Sequence, residues 1–321
     1  MKNLILSFNF SNFSGVDCPN FFSFKEKLQM YMNIFEKGYL FAKQQFPQHK
    51  IILVTHEYAI TQANSSNSKI LDYTEHMMIQ ESLKEFTRLN QNCVIIFPYA
   101  FAKEYHNEQQ FSKLEKIAHR YKDNVNNEST VTVEKNDFSN YLDKFQSNKP
   151  ESKMTVIRNC CYLFSEGKTV SRVDKRIPCF EYNLPNSSIV RAPLIQGCTL
   201  FQPGTHKNII SLNKTQSLGI EICADHACGL LKSTWKDKSL ITYHLILADS
   251  TALKTENLIG QFNILCDTFT GTSLVQKEGI DKKIAPLVIA ITPEFNEGLL
   301  ECPHKIVNPQ VLHASKFQFT L

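Results

Sequence analysis

The sequence predicts an α/β protein whose sheet is buried on at least one side. Three observations carry this. Runs such as Ile51–Val54 and Cys93–Phe97 are apolar without alternation, as in strands covered on both faces. Amphipathic helical spacing marks Phe24–Gln45 and Asp72–Asn90, which alternate with those runs. Further strand-forming segments, joined by short turns, fill the later half.

Taken in order, Leu4–Phe10 suits a first strand, and Ser11–Asn20, with Gly15 and Pro19, suits a loop. Leu28, Met32, Phe35, Tyr39 and Ala42 line one face of the first helix, which Pro47 ends. Lys50–Thr55 is a buried strand running into His56-Glu57-Tyr58. The second helix leads into Cys93–Phe97, closed by Pro98. Phe101–Pro150 is polar, with Asn and Lys clusters, and reads as an insertion at about 101–150 holding one helix, Gln109–Arg120. Met154–Phe164 and Thr169–Val173 form a hairpin around Glu166-Gly167-Lys168 and deliver Lys175. Asn183–Gly197 is loop, with Pro185 and Pro193. Asn208–Leu212 and Ser217–Ile222 form another hairpin, which delivers Cys223 ahead of a helix-compatible run. Ile241–Leu247, Gln261–Ile264 and Ala285–Thr292 are further apolar segments, and Phe317–Leu321 is a candidate edge strand. No linker separates two halves, so one domain, 1–321, is expected.

The bulk numbers narrow the function. The chain has 321 residues, 42% hydrophobic and 21% charged, which permits a large core. A net charge of +4, with Lys and Arg spread among Asp and Glu, gives no reason to expect a nucleic-acid partner. No stretch approaches the roughly 20 apolar residues of a membrane span. Ten cysteines lack the dense, even spacing of a disulfide framework, and Cys93 and Cys266 sit in apolar runs as small core residues. Leu4-Ile5-Leu6 is too short for the core of a cleavable signal. A cytoplasmic location follows as the expectation, with export lacking such a signal left open.

Three polar residues stand at the ends of apolar strands: Glu57, Lys175 and Cys223. Strand ends are rigid and open to ligand. A thiol attacks as thiolate; a neighbouring cation favours that form and a carboxylate can take its proton. The same lysine could stabilise an oxyanion, and the glutamate could act as general base for water. Blander readings stand beside these. A thiol at a strand end is often a packed residue, Glu57 could be a surface carboxylate, and Lys175 lies in a charged turn that could be solvated. Asp225 suits satisfaction of backbone groups in its turn. His226 is a candidate pocket residue or a structural histidine. Cys223, His226 and Cys228, with His206 nearby, lack the paired spacing of a zinc site. Cys223 with His244 or His313 lacks the local signature of a papain-like pair.

The order Glu57, Lys175, Cys223 resembles the Glu–Lys–Cys triad of the carbon–nitrogen hydrolase (nitrilase) superfamily. The similar segments are Val54-Thr-His-Glu57-Tyr, the hairpin with Asn159–Phe164, Gly167 and Val173-Asp-Lys175, Leu200-Phe-Gln-Pro-Gly204, and Gly219-Ile-Glu-Ile-Cys223-Ala-Asp225. They cover roughly residues 1–292 in order. The resemblance implies a four-layer αββα sandwich and hydrolysis of a small linear amide, carbamoyl compound or nitrile through a thioester on Cys223. Lys175 and the Ala224 N–H would hold the oxyanion, and Glu57 would move the proton. It implies no metal or organic cofactor, and pairing of two copies through a face of the sandwich. The chain departs from the family at His56, where proline is usual, and at His226-Ala-Cys-Gly229, where a bulkier run is usual. A further family glutamate has Glu181 as its one counterpart between Lys175 and Leu200. Two alternatives remain: a binding or regulatory module that kept the fold, or an acyltransferase using the same nucleophile.

Overall fold

The computed structural model describes residues 2–10, 23–60, 70–105, 154–177, 199–202, 204, 208–235, 241–280, 285–296 and 299–307. The expected loops at 11–20 and 183–197, the helix at 109–120, Glu181, His206 and the edge strand at 317–321 lie outside them.

In chain order the elements are β1 (Lys2–Phe8), α1 (Phe24–Gln45), β2 (His49–Thr55), β3 (Ile70–Leu71), α2 (Tyr73–Leu89), β4 (Cys93–Tyr105), β5 (Met154–Ser165) and β6 (Lys168–Asp174). There follow β7 (Thr199–Phe201), β8 (Ile209–Ser211), β9 (Ser217–Ile222), α3 (Ala224–Ala227), α4 (Leu230–Thr234) and β10 (Ile241–Ala248). The last are β11 (Gly260–Asp267), β12 (Gly271–Gln276), β13 (Leu287–Ile291), β14 (Glu294–Asn296), β15 (Leu299–Glu301) and β16 (His304–Val307). Both long helices start at reciprocal caps that satisfy end N–H groups: Ser23 with Glu26, and Asp72 with Glu75.

One sheet runs β16-β13-β1-β2-β4-β5-β6, with β3 beside β4 and β7 beside β5; the second runs β12-β11-β10-β9-β8. Alternate residues of the first sheet face opposite layers. Leu4, Leu6, Leu53, Ile95, Phe97 and Phe164 pack on α1 and α2. Ile5, Ile52, Val54, Val94, Ile96, Cys161 and Leu163 pack on Leu218, Ile220, Ile222, Leu245, Leu247 and Ile264 of the second sheet. Both faces are apolar, which is why these strands read as unbroken hydrophobic runs. On the far side of the second sheet α3 and α4 lie against β9, with Leu230 and Leu231 buried. Gly219 permits that approach, because a Cβ there would stand 2.3 Å from Ile241 Cδ1 and 2.8 Å from Leu231 Cδ2. The layers are therefore helix, sheet, sheet and a thin helical layer: an αββα sandwich.

Several boundaries differ from the sequence reading. The first strand is Lys2–Phe8, and the chain after it turns to give the Phe10 N–H to His56 Nε2 at 3.0 Å. Pro98 does not close β4, which continues to Tyr105. Pairing with β2 ends at Ile96 and pairing with β3 begins at Ala100, so proline falls where that flank needs no ladder N–H. Residues 101–105 of the expected insertion therefore belong to this strand, and the rest of it, 106–150, lies outside the described residues. The run after Cys223 is two short helices, divided at Gly229 by a left-handed residue with φ 65°. Strands β12 and β16 lack an unbroken apolar run because they are half-buried edge strands.

The carboxyl ends of β1, β2, β9, β10 and β11 meet along one edge. Ser7 Oγ and Thr272 Oγ1 are 2.7 Å apart across it, Asn9 Nδ2 donates to the carbonyls of Asp267 and Thr268 at 3.1 Å each, and His56 Nδ1 lies 2.9 Å from Thr268 Oγ1. Among the described residues no helix is long and apolar enough to cross a membrane.

Candidate active site

Glu57 follows β2, Lys175 follows β6 and Cys223 follows β9, so each is set by the register of its own strand. The structure brings the first two into contact: Lys175 Nζ stands 2.8 Å from Glu57 Oε1, and neither side chain is exposed. Fully buried charges need such pairing and further hydrogen bonds. Asn159, on β5, gives one: its Nδ2 donates to Glu57 Oε1 at 2.7 Å and to the Tyr58 hydroxyl at 3.0 Å. The backbone places Asn159 next to both partners, because the Lys175 N–H donates to the Asn159 carbonyl at 2.8 Å. Gly204 lies against the same turn, giving its N–H to the Lys175 carbonyl at 2.9 Å; a Cβ there would overlap the Asp174 carbonyl.

Cys223 sits in an unusual backbone state, φ 48° and ψ −104°. Positive φ is rare for a residue with a side chain, and such strain clusters at functional sites. It turns the chain from strand to helix while the Cys223 N–H still donates to the Leu247 carbonyl at 2.9 Å, one step past the Ile222–Leu247 pair. Cys223 as a residue is 7% exposed. Burial pushes it well above the ordinary thiol range, and the Glu57 carboxylate adds to that; Lys175 and the hydrogen bond with Thr251 oppose them. The resting sulfur is therefore a neutral thiol that feels both charges of the ion pair. Cys223 Sγ lies 2.9 Å from Thr251 Oγ1, in the loop after β10.

Asp225 fastens two parts of the site together. Its carboxylate accepts from the Arg176 N–H at 3.0 Å and the Ile177 N–H at 2.9 Å, tying the turn after Lys175 to the turn after Cys223. It serves backbone groups, as its sequence position suggested, but those of the lysine turn. Burial raises its pKa to about 7, partly offset by these hydrogen bonds and by Arg176 and Lys175.

Of the two readings of His226, pocket residue or structural histidine, its contacts match the second. Its ring is fully buried; Nδ1 donates to Glu221 Oε2 at 2.9 Å and Nε2 accepts the Lys254 N–H at 3.1 Å. His244 Nε2 donates to the same Glu221 oxygen at 2.9 Å, and Glu221 Oε1 accepts the Leu231 N–H at 2.7 Å. Burial would raise the Glu221 carboxyl, yet the two imidazoles hold it below its usual value. Ligand atoms of Glu221, His226 and His244 lie within 4.8 Å of one another, the spacing of a metal site. The hydrogen bonds assign a different role. Nε2 of His226 is an acceptor, so the proton sits on Nδ1; metal binding at Nδ1 would drive it onto Nε2, against the Lys254 N–H. The trio is a hydrogen-bonded clamp that holds α3 and α4 under the turn at Cys223. Ala224, the first residue of α3, follows Cys223 directly.

Three participants were missed from sequence: Asn159, Thr251 and Glu221. Asn159 and Glu221 left a signal as polar residues inside apolar strands. Thr251 left none, because its place depends on β10 lying beside β9.

The site lies at the carboxyl edge of an αββα sandwich, where the ends of three strands supply a carboxylate, an ammonium and a thiol. Similar solved structures include an amidase from Nesterenkonia sp., with TM-score 0.43, 10% identity, and coverage of 78% of this chain and 77% of that one. A cysteine-to-alanine mutant of the Nesterenkonia AN1 amidase from the nitrilase superfamily gives TM-score 0.43, 10% identity, and 91% and 81% coverage. A glutamine-dependent NAD+ synthetase from Acinetobacter baumannii gives TM-score 0.40, 11% identity and 94% coverage, and this chain spans 43% of it. No protein-family model and no curated protein matches the sequence.

Proposed function

We propose that this protein is a cysteine-dependent hydrolase of non-peptide C–N bonds, acting on a small linear amide, carbamoyl compound or nitrile, with Cys223 as nucleophile, Glu57 as proton carrier and Lys175 as oxyanion partner. The observation that carries the reading is the fully buried Lys175–Glu57 pair at 2.8 Å, whose two charges both act on the Cys223 sulfur.

The chemistry follows from a neutral thiol. For an amide, Glu57 takes the thiol proton as sulfur attacks the carbonyl carbon, and negative charge moves onto the oxygen. Lys175 Nζ and the Ala224 N–H stabilise that oxygen, which is where buried donors contribute most. The C–N bond breaks as Glu57 returns the proton to nitrogen, leaving a thioester and a free amine. Water then gives its proton to Glu57 and attacks the thioester; the second intermediate expels the sulfur, and the proton returns to it. Asn159 keeps Glu57 oriented through the cycle. Nothing in this sequence calls for a cofactor.

The strained backbone at Cys223 favours an enzyme over a module that kept only the fold, since strain of this kind is maintained where it serves chemistry. The test is turnover of a panel of short amides, carbamoyl compounds and nitriles, with ammonia or amine release as the signal. Wild type releases product; Cys223→Ala releases none. Release by the Cys223→Ala protein at the wild-type rate rules the mechanism out.

A further inference from the structure

We infer that Thr251 is a fourth catalytic residue of this site, donating its hydroxyl hydrogen to the Cys223 sulfur whenever that sulfur carries negative charge, with Asp267 as the residue that positions it. The inference rests on the hydrolase reading for its place in a reaction, but its geometry is independent of any substrate.

The contact is 2.9 Å between Thr251 Oγ1 and Cys223 Sγ. In the neutral state either atom can donate. Once sulfur has lost its proton it can only accept, so the hydroxyl must turn its hydrogen toward sulfur. Hydrogen bonds to an ionised partner are the strong ones, and the near-dry surroundings of Cys223 strengthen them further. Sulfur is most charged at two moments: as it begins to attack, and as it leaves the second intermediate when water has added. Lys175 is then engaged with the oxyanion. Thr251 gives the sulfur a donor of its own.

The hydroxyl is held by a built scaffold. Asp267, 1% exposed at the end of β11, accepts the N–H groups of Ser250 at 2.7 Å and Thr251 at 3.2 Å on Oδ1. Its Oδ2 accepts Phe269 N–H at 3.0 Å, Thr270 N–H at 2.7 Å and the Thr270 hydroxyl at 2.9 Å. Ser250 takes φ 69°, so the loop is bent out of its relaxed state to bring the next residue to the sulfur. The second loop held by Asp267 carries Thr268, whose hydroxyl lies 2.9 Å from His56 Nδ1; that ring nitrogen is also 2.7 Å from the Glu57 carbonyl. One buried carboxylate thus sets the sulfur's donor and braces the backbone of the base. His56 and Thr268 complete this link where the sequence departs from the usual proline.

The experiment measures the rate of Cys223 carbamidomethylation by iodoacetamide against pH, read by peptide mass, in the full chain. Thr251→Val keeps the shape and removes the hydroxyl; Thr251→Ser keeps the hydroxyl. The Val variant is expected to label about tenfold more slowly at pH 8, with its profile displaced to higher pH by about one unit, and the Ser variant to follow wild type. Asp267→Asn is expected to move the profile in the direction of Val. A Val profile that overlays wild type overturns the inference, and so does an equal displacement in Val and Ser, which would make the effect one of packing. Should Val fail to fold, Thr251→Ala takes its place with the same two outcomes. A displaced Val profile in a protein that hydrolyses no amide or nitrile would retain the donor and remove the hydrolase. An undisplaced profile in an active enzyme would do the reverse.

Discussion

Lys175 Nζ and Glu57 Oε1 stand 2.8 Å apart with both side chains shut off from solvent, although 118 positions separate them in the chain. Removing one member of such a pair leaves a buried charge and typically costs about 3–5 kcal/mol. Lys175→Met and Glu57→Gln should each lower stability by that order in urea unfolding and abolish turnover. The double variant should regain part of the lost stability, since no lone charge remains, and stay inactive. Additive stability losses would contradict a direct pair.

Asn159 also donates a hydrogen bond to Glu57 Oε1. Asn159→Ala removes a buried donor worth about 1–2 kcal/mol, and kcat should fall roughly 10-fold with little change in KM. Asn159→Asp places a like charge beside the carboxylate, which favours the protonated form of Glu57. Its acidic limb of activity should therefore move to higher pH, and a pH–rate profile checks this.

Asp225 is raised to about 7 from 3.8 because burial disfavours its charge. A folded pKa above the unfolded one means that the native state binds the extra proton. The associated stability is complete below about pH 4 and is lost as pH rises through 7. Relative to Asp225→Asn, the wild type should lose stability between those limits. Thermal melts at pH 4, 5.5 and 7.5 test the sign. Asp225→Ala should be worse than Asn at every pH, because the N–H groups of Arg176 and Ile177 lose their acceptor.

His76 behaves oppositely. Its ring stacks on Phe101 at 3.9 Å, and Nδ1 lies 2.9 Å from the Tyr99 hydroxyl. Burial, then the charges of Arg158, Arg172, Lys103 and Lys84, lower its pKa from 6.5 to about 4. Its stabilisation is present above pH 6.5 and is lost as pH falls through 4. His76→Gln should flatten the acid limb of the stability curve over that window, in urea titrations at matched ionic strength.

Much of this architecture was legible in the residues. Ile51–Val54 and Cys93–Phe97 had to be buried on both faces, and the helical stripe of Leu28, Phe35 and Tyr39 had to pack on one of them. The strand tips carrying Glu57 and Cys223 could be read because each follows an apolar run, whereas Lys175 follows β6, a largely exposed strand of mixed polarity, and was legible from its hairpin and its place in the chain order. Local pattern could not reveal partners made by topology. Thr251 reaches sulfur only because β10 pairs with β9, and Asp225 reaches the lysine turn only because the sheets stack with their carboxyl ends together. His226 looked available from its neighbour Cys223, but its direction is set by Glu221 and His244, which come together only when β9 and β10 pair and α3 folds over them. Pro98 misled for the same reason: whether proline breaks a strand depends on which neighbour needs its N–H.

During turnover Cys223 should become covalently acylated by the carbonyl it attacks. Acid-quenching the protein during turnover of a short amide and mapping the peptides by mass tests this most directly. The acyl group's mass is expected on the peptide containing Cys223, at a level that drops when hydroxylamine is added. Sustained product release with that peptide unmodified at every quench time, while Cys223→Ala turns over equally fast, would contradict it.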